Sequence, residues 1–172
     1  MYYYYLFDEL ICNVKFSMVL SKNMFTPIKS RKKNFFSFSK FHVTIYTHSP
    51  NKLNVTGFRN LNLIPEIILE IESFFSVECI NHKIDCVMLS FKGDSLLRLN
   101  NIKNHHSLFS DIFYIDYNPE IFNGLHLKPR SFLTFQPTIN IFHTGSFQIF
   151  GRDIDKIKNA LILLEKLFPL IS

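Results

Sequence analysis

The chain has 172 residues, 47% of them apolar, with 20 phenylalanines and 19% charged side chains, enough to bury the core of one domain. No long segment is polar enough to stay disordered, and no apolar run reaches the ~18 residues of a membrane span. The formal net charge of +5 is compatible with a polyanionic partner, and part of it sits in Lys29, Arg31, Lys32 and Lys33, a run that serves equally as a solvated loop, a phosphate contact or a nuclear-targeting signal.

The three cysteines, Cys12, Cys79 and Cys86, are odd in number and contain no CxxC pair, which argues against a disulfide framework or a zinc site and fits a reducing compartment. The start, MYYYYLFDELICNVKF, carries Asp8, Glu9 and Lys15 and lacks the basic first region of a signal peptide, so no secretory route is expected. The sequon at Asn54, Val55 and Thr56 is then a chance match. The high content of Asn, Lys, Ile, Phe and Tyr points to an AT-rich genome.

In chain order, residues 11–20 (ICNVKFSMVL) read as a strand, and 21–40 as a basic, Ser/Phe-rich connection, irregular or briefly helical. Strands follow at 42–47 and 52–57, joined through Ser49, Pro50 and Asn51, which supply turn chemistry. A helix starts near Pro65, with Ile64, Ile67, Ile68, Ile71, Phe74 and Phe75 at helical spacing on one face. A strand is expected over about 80–91, a turn at 92–95, and a further strand at 95–100. Residues 101–125 read as a polar linker around a short element, followed by strands at 130–136, 138–143 and 146–150. A final helix over 153–168 lines up Ile154, Ile157, Leu161, Leu164 and Phe168.

The hairpin-plus-helix unit therefore occurs twice, from His42 to Asn60 and from Thr138 to Asp153, each closing its second strand with a glycine, Gly57 or Gly151. Two copies spaced by about half the chain imply one pseudo-symmetric domain rather than a solenoid. Alternation sorts the side chains of the second hairpin: Ile139, Ile141, Phe147 and Ile149 share one face, while Asn140, Phe142, Gln148 and Phe150 share the other. In the first hairpin Val43, Ile45, Leu53 and Val55 form the core set, and Thr44, Tyr46, Asn54 and Thr56 lie opposite. If helices cover one side only, the second face meets solvent or a partner. Amides there suit minor-groove acceptors and an aromatic ring suits a wedge between base steps; the simpler account of Phe142 and Phe150 is core packing under a loop.

At these residues the chain resembles the TATA-box-binding protein family, whose halves each carry a hairpin of the form I-F-x-S-G-K-x-x-x-T-G before a long helix. The second copy here runs from Ile141 and Phe142 through Gly145 to Gly151, and the first from Ile45 and Tyr46 to Gly57 with two extra turn residues. The family's Y-x-P-E-L-F-P-G-L segment is matched by Tyr117, Asn118, Pro119, Glu120, Ile121, Phe122, Asn123, Gly124 and Leu125. The resemblance spans about residues 10–171 and implies an α+β saddle over residues 1–172, with repeat one at about 10–76 and repeat two at about 77–172. In such a fold a curved antiparallel sheet forms the concave underside and helices lie on the convex top.

The resemblance further implies a transcription initiation factor without cofactor that binds double-stranded AT-rich promoter DNA in the minor groove, bends it, and recruits a TFIIB-like factor and RNA polymerase. Carried over by position, Phe122 and Phe142 match the wedge pair of the second half and Tyr46 one wedge of the first, the other having only Phe35, Phe36 and Phe38 nearby. Asn13 and Asn81 match the central asparagines, and Thr56 a groove-facing threonine. Groove-facing valines of the family are replaced by Asn54 and Gln148, a threonine by Phe150, and leucine and lysine positions by Asn140 and Ser146, as in a fast-evolving copy of the kind large DNA viruses carry. Such a copy would work in a nucleus or a cytoplasmic viral factory. The competing expectation is an assembly module of the same fold that has lost DNA binding, and a third is an accessory domain of a nucleic-acid-processing enzyme. Catalysis by the chain itself is not expected: the seven histidines show no ligand spacing, His105 and His106 lie in a polar linker, and the 5 glycines form no phosphate-binding loop.

Overall fold

The structure, a computed structural model, describes residues 3–23, 34–46, 49–108, 110–131 and 136–172. In chain order it contains a 3-10 turn (Tyr3–Leu6), α1 (Phe7–Leu10), β1 (Ile11–Leu20), β2 (Asn34–Ser37), β3 (His42–Tyr46), β4 (Ser49–Phe58), α2 (Ile64–Phe75), β5 (Cys79–Phe91), a 3-10 stretch over Leu99–Leu108 kinked at His105, β6 (Phe113–Asp116), β7 (Gly124–Pro129), β8 (Thr138–Phe142), β9 (Phe147–Gly151) and α3 (Ile154–Ile171). The chain divides into two compact units: Asn13–Cys86, and Met1–Cys12 together with Val87–Ser172. The dividing line falls inside β5 rather than between the two repeats.

In the unit Asn13–Cys86 the strand order is β2-β3-β4-β1, every pairing antiparallel. Val14, Phe16, Met18, Val43, Ile45, Leu53 and Val55 are buried on one face, as the alternation requires. α2 covers that face through Ile64, Ile67 and Ile71, and its last turn sets Phe74 and Phe75 against Phe36 of β2. The helix is entered through Asn60, whose side chain accepts from the Asn62 N–H, and Pro65 occupies the first turn, where no intrahelical donor is needed. Ser76 ends it in the left-handed region at φ 52°.

In the other unit the second part of β5 leads the order β5-β9-β8-β7-β6, again antiparallel. Leu125, Leu127, Ile139, Ile141, Phe147 and Ile149 are fully buried beneath α3, which contributes Ile157, Leu161, Leu164 and Ile171. Asp153 caps α3 by accepting from the Lys156 N–H at 3.1 Å. The N-terminal turn packs rather than fraying: the Tyr3 ring meets Phe91, Phe147 and Phe168 edge-on, and the Tyr4 N–H donates to Glu165. Burial, then the Glu165 and Asp94 charges, push the Tyr3 hydroxyl up from its ordinary value. No polar or charged side chain is buried among the described residues.

Four expectations need correction or extension, and one falls outside the described residues. The segment 21–40 contains a strand, β2, because Phe35 and Phe36 pair with Thr44 and Val43. No strand forms at 95–100; its amides bond distant segments, the Leu97 N–H the His143 carbonyl and the Arg98 N–H that of Ile171. The strand placed at 130–136 lies earlier, at Gly124–Pro129, because the alternation that pairs with β8 runs through Leu125 and Leu127; residues 132–135 lie outside the described residues. The last helix continues through Pro169 to Ile171. The basic run Lys29, Arg31, Lys32 and Lys33 lies outside the described residues, as do Thr47 and His48.

Phe147→Ala removes a fully buried ring stacked on Phe91 and should cost about 3–5 kcal/mol, whereas Asp153→Ala removes one cap and should cost about 1 kcal/mol. Urea unfolding followed by circular dichroism measures both, and equal losses would overturn this account of the core.

Candidate nucleic-acid interface

The face of each unit turned away from its helix carries the polar and aromatic side chains. In the unit built on β5–β9, Asn140, Phe142, Gln148 and Phe150 all lie there, half-buried, with Ser90 opposite Gln148 and Met88 opposite Phe150. Phe142 is presented by the β8–β9 turn, in which Gly145 takes φ 75° and the Phe142 carbonyl and N–H bond the Gly145 N–H and the Ser146 carbonyl. Phe122 is presented by a second turn. The Asn118 side chain accepts from the Glu120 N–H, its carbonyl accepts from the Ile121 and Phe122 N–H groups, and Pro119 presets the backbone between them.

The two rings meet, with centroids 5.7 Å apart and planes at 60°. They do so over Gly124, which pairs with Phe142; a Cβ there would lie 2.5 Å from the Phe122 ring and 3.0 Å from that of Phe142. The other side of Phe122 is stacked on His126, 4.2 Å between centroids, and His126 Nδ1 lies 2.7 Å from Asn140 Oδ1. His126 is thus part of the site, with no mark in the sequence beyond its alternation with Gly124, just past the linker expected at 101–125. Asp116 and Lys128 lie on the same face, 2.5 Å apart, and the Lys128 ammonium holds the Asp116 carboxyl below its usual range. The Arg130 guanidinium sits 4.1 Å over the Tyr114 ring.

In the unit Asn13–Cys86 the corresponding face carries Asn13, Lys15, Ser17, Thr44, Tyr46, Lys52, Asn54 and Thr56. A bulge where Thr56 and Gly57 oppose Lys15 puts Gly57 at φ 89°, and Asn13 Oδ1 accepts its N–H at 3.1 Å. Asn54 Nδ2 donates to the Tyr46 hydroxyl at 2.9 Å, which holds the ring along the sheet. Of the three phenylalanines near the missing wedge, Phe36 packs on Phe74 and Phe75, and Phe38 on Phe41 and Phe74, so neither lies on this face. Phe35 does, 62% exposed and tilted on His42, but it opposes Thr44 and so matches His126 rather than Phe122. The position matching Phe122 precedes residue 34, outside the described residues.

Asn81 is exposed in β5, and its neighbour His82 sets its ring against the core residue Phe16. Counting back from Ser17 opposite Asn54 and Ser90 opposite Gln148, the residue matching Asn13 is Cys86 rather than Asn81. None of the cysteines forms a disulfide, and no group of three or more His, Cys, Asp or Glu side chains among the described residues could hold a metal. No described helix is long and apolar enough to cross a membrane.

Comparison by sequence gives no matching family model and no match among curated proteins. By structure the chain is similar to Methanococcus jannaschii TBP, with a TM-score of 0.65 and 19% sequence identity, over 94% of this chain and 98% of that one. The α+β fold is TBP-like, as the residues around Phe122 and Phe142 implied.

Proposed function

We propose that this chain is a TBP-like transcription factor that binds duplex DNA through the helix-free faces of its two units, bearing Phe122, Phe142, Asn140, Gln148 and Phe150 in one and Tyr46, Asn54, Thr56 and Asn13 in the other, bends it, and recruits a TFIIB-like factor and RNA polymerase. The observation that carries the proposal is the Phe122–Phe142 pair, half-buried side by side at one end of an amide-bearing sheet face. Two adjacent rings on a rigid hairpin and a capped turn form a wedge that enters a base step without first being ordered. The amides beside it reach the acceptors that line a minor groove. Unstacking a step costs a few kcal/mol and a bend about 1–6 kcal/mol, which the wedge contacts and phosphate neutralisation must offset. Lys15 and Lys52 in one unit and Lys128 in the other stand on or beside these faces and can supply part of that neutralisation. A nucleus or a cytoplasmic viral factory is the compartment that fits this role.

The second reading is an assembly module whose partners are proteins alone. It draws on α2, where Leu69, between Glu66 and Glu70, is 66% exposed and Phe74 is 60% exposed. The same helix serves the first reading as a surface for the recruited factor.

Electrophoretic shifts on AT-rich and GC-rich duplexes separate the two readings. DNA binding predicts a complex at 50 mM salt that weakens on the order of a hundredfold by 200 mM, for about four neutralised phosphates; absence of any complex at low salt would leave the assembly module. Phe122→Ala and Phe142→Ala should lower the bend angle, read by energy transfer between the duplex ends, with the thermal transition retained. Gly124→Ala should do the same more weakly by pushing the two rings apart. An unchanged bend in all three variants rules out the wedge.

A further inference from the structure

His126 and Asn140 oppose each other across β7 and β8, and their 2.7 Å contact joins Nδ1 to the amide oxygen. A neutral imidazole donates through one nitrogen and accepts through the other. If Nδ1 donates to Oδ1, the pair turns one acceptor (Nε2) and one donor (the Asn140 amide nitrogen) to the outside. If the amide is turned so that its nitrogen donates to Nδ1, the outside atoms become a donor (Nε2–H) and an acceptor (Oδ1). Either way the neutral pair offers one donor and one acceptor. The ring is half-buried and borders a cavity of about 300 Å³ lined by Asp116, Asn118, Ile121, Phe122 and Lys128, so its edge away from Asn140 is not sealed.

In the minor groove an A·T pair shows only acceptors, the adenine N3 and thymine O2, whereas a G·C pair adds the guanine 2-amino donor. A face bearing donors alone suits A·T; an acceptor beside a donor is complementary to G·C. We infer that the His126–Asn140 pair is a base-reading element that selects a G·C pair at the step next to the Phe122–Phe142 wedge. The inference rests on the DNA-binding reading above. Phe122 fixes the imidazole plane by stacking on it, which makes the element specific in direction as well as in chemistry.

The charged groups facing the ring are Asp116, across the ladder on β6, and Lys128 on β7, which pair with each other. β8 brings the uncharged Asn140, and the segment before β7 brings Phe122 with Asn118 in the adjoining cavity.

The test uses the full chain and a set of AT-rich duplexes through which single G·C pairs are walked, each made with guanine or with hypoxanthine, which lacks the 2-amino group. Wild-type protein should bind one guanine duplex about tenfold tighter than its hypoxanthine twin, the size of a good base contact. His126→Leu and Asn140→Leu, each checked for an intact thermal transition, should erase the preference, so that the guanine duplex and its hypoxanthine twin bind alike. Equal binding of every guanine and hypoxanthine pair, or a preference that survives both substitutions, overturns the inference while leaving DNA binding in place. Binding to no duplex at low salt overturns the DNA reading itself.

Discussion

A paired strand has two faces one residue apart, and here one face of each unit must be wholly apolar. Ile139, Ile141, Phe147 and Ile149 are fully buried beneath α3, and Val43, Ile45, Leu53 and Val55 are buried beneath α2. Each such side chain contributes about 1.5–3 kcal/mol by leaving water. A slip of one residue would expose all of them and bury Asn140, Gln148 or Asn54 in their place, with about 1–3 kcal/mol lost for each unsatisfied polar group. The register is therefore fixed by the core, and the composition of the opposite face follows from it. No polar side chain is buried among the described residues, so nothing in the core competes with this assignment.

Given that face, the position of the rings is a matter of turn chemistry. Gly145 closes the hairpin behind Phe142, Asn118 and Pro119 form the turn before Phe122, and Gly124 leaves the space in which the two rings meet. These residues act through geometry rather than through contact with a ligand. The other unit has a different solution at the matching place: Tyr46 is drawn onto the sheet by Asn54, and a bulge at Gly57 is stabilised by Asn13. The two halves thus share a ladder and a helix but not an edge.

Both hairpins and both long helices were legible in the sequence, because alternation and helical spacing extend over enough residues to be distinctive. The strands β2 and β7 were not. β2 spans only Asn34–Ser37 beside a basic run, and its strand character comes from pairing with β3. β7 starts at the end of the family motif and runs on to Pro129, and the alternation of Gly124, His126 and Lys128 is too short to be distinctive. The apolar stretch at 95–100 had strand composition but its amides bond to the β8–β9 turn and the end of α3, a tertiary outcome without a local signal. The site residues were legible as a face and incomplete as a set: His126 joins it only once β7 is laid against β8, and Asn81 gives up the place matching Asn13 to Cys86 for the same reason, a register that composition does not contain.

The polar character of the face also has a structural order. Asn13 commits its oxygen to Gly57, Asn54 commits its nitrogen to Tyr46, and Asn140 is joined to His126. Each contact uses one polar atom of an amide and leaves the other for water or a partner. An amide held this way has little rotamer freedom left to lose on binding, and it presents a donor or an acceptor rather than either at will. An apolar face in the same place would recognise width and flexibility, since every base edge looks alike to a methyl group. A face of oriented amides adds a pattern to that shape, and the pattern is set within the folded chain by the same ladders that bury its core.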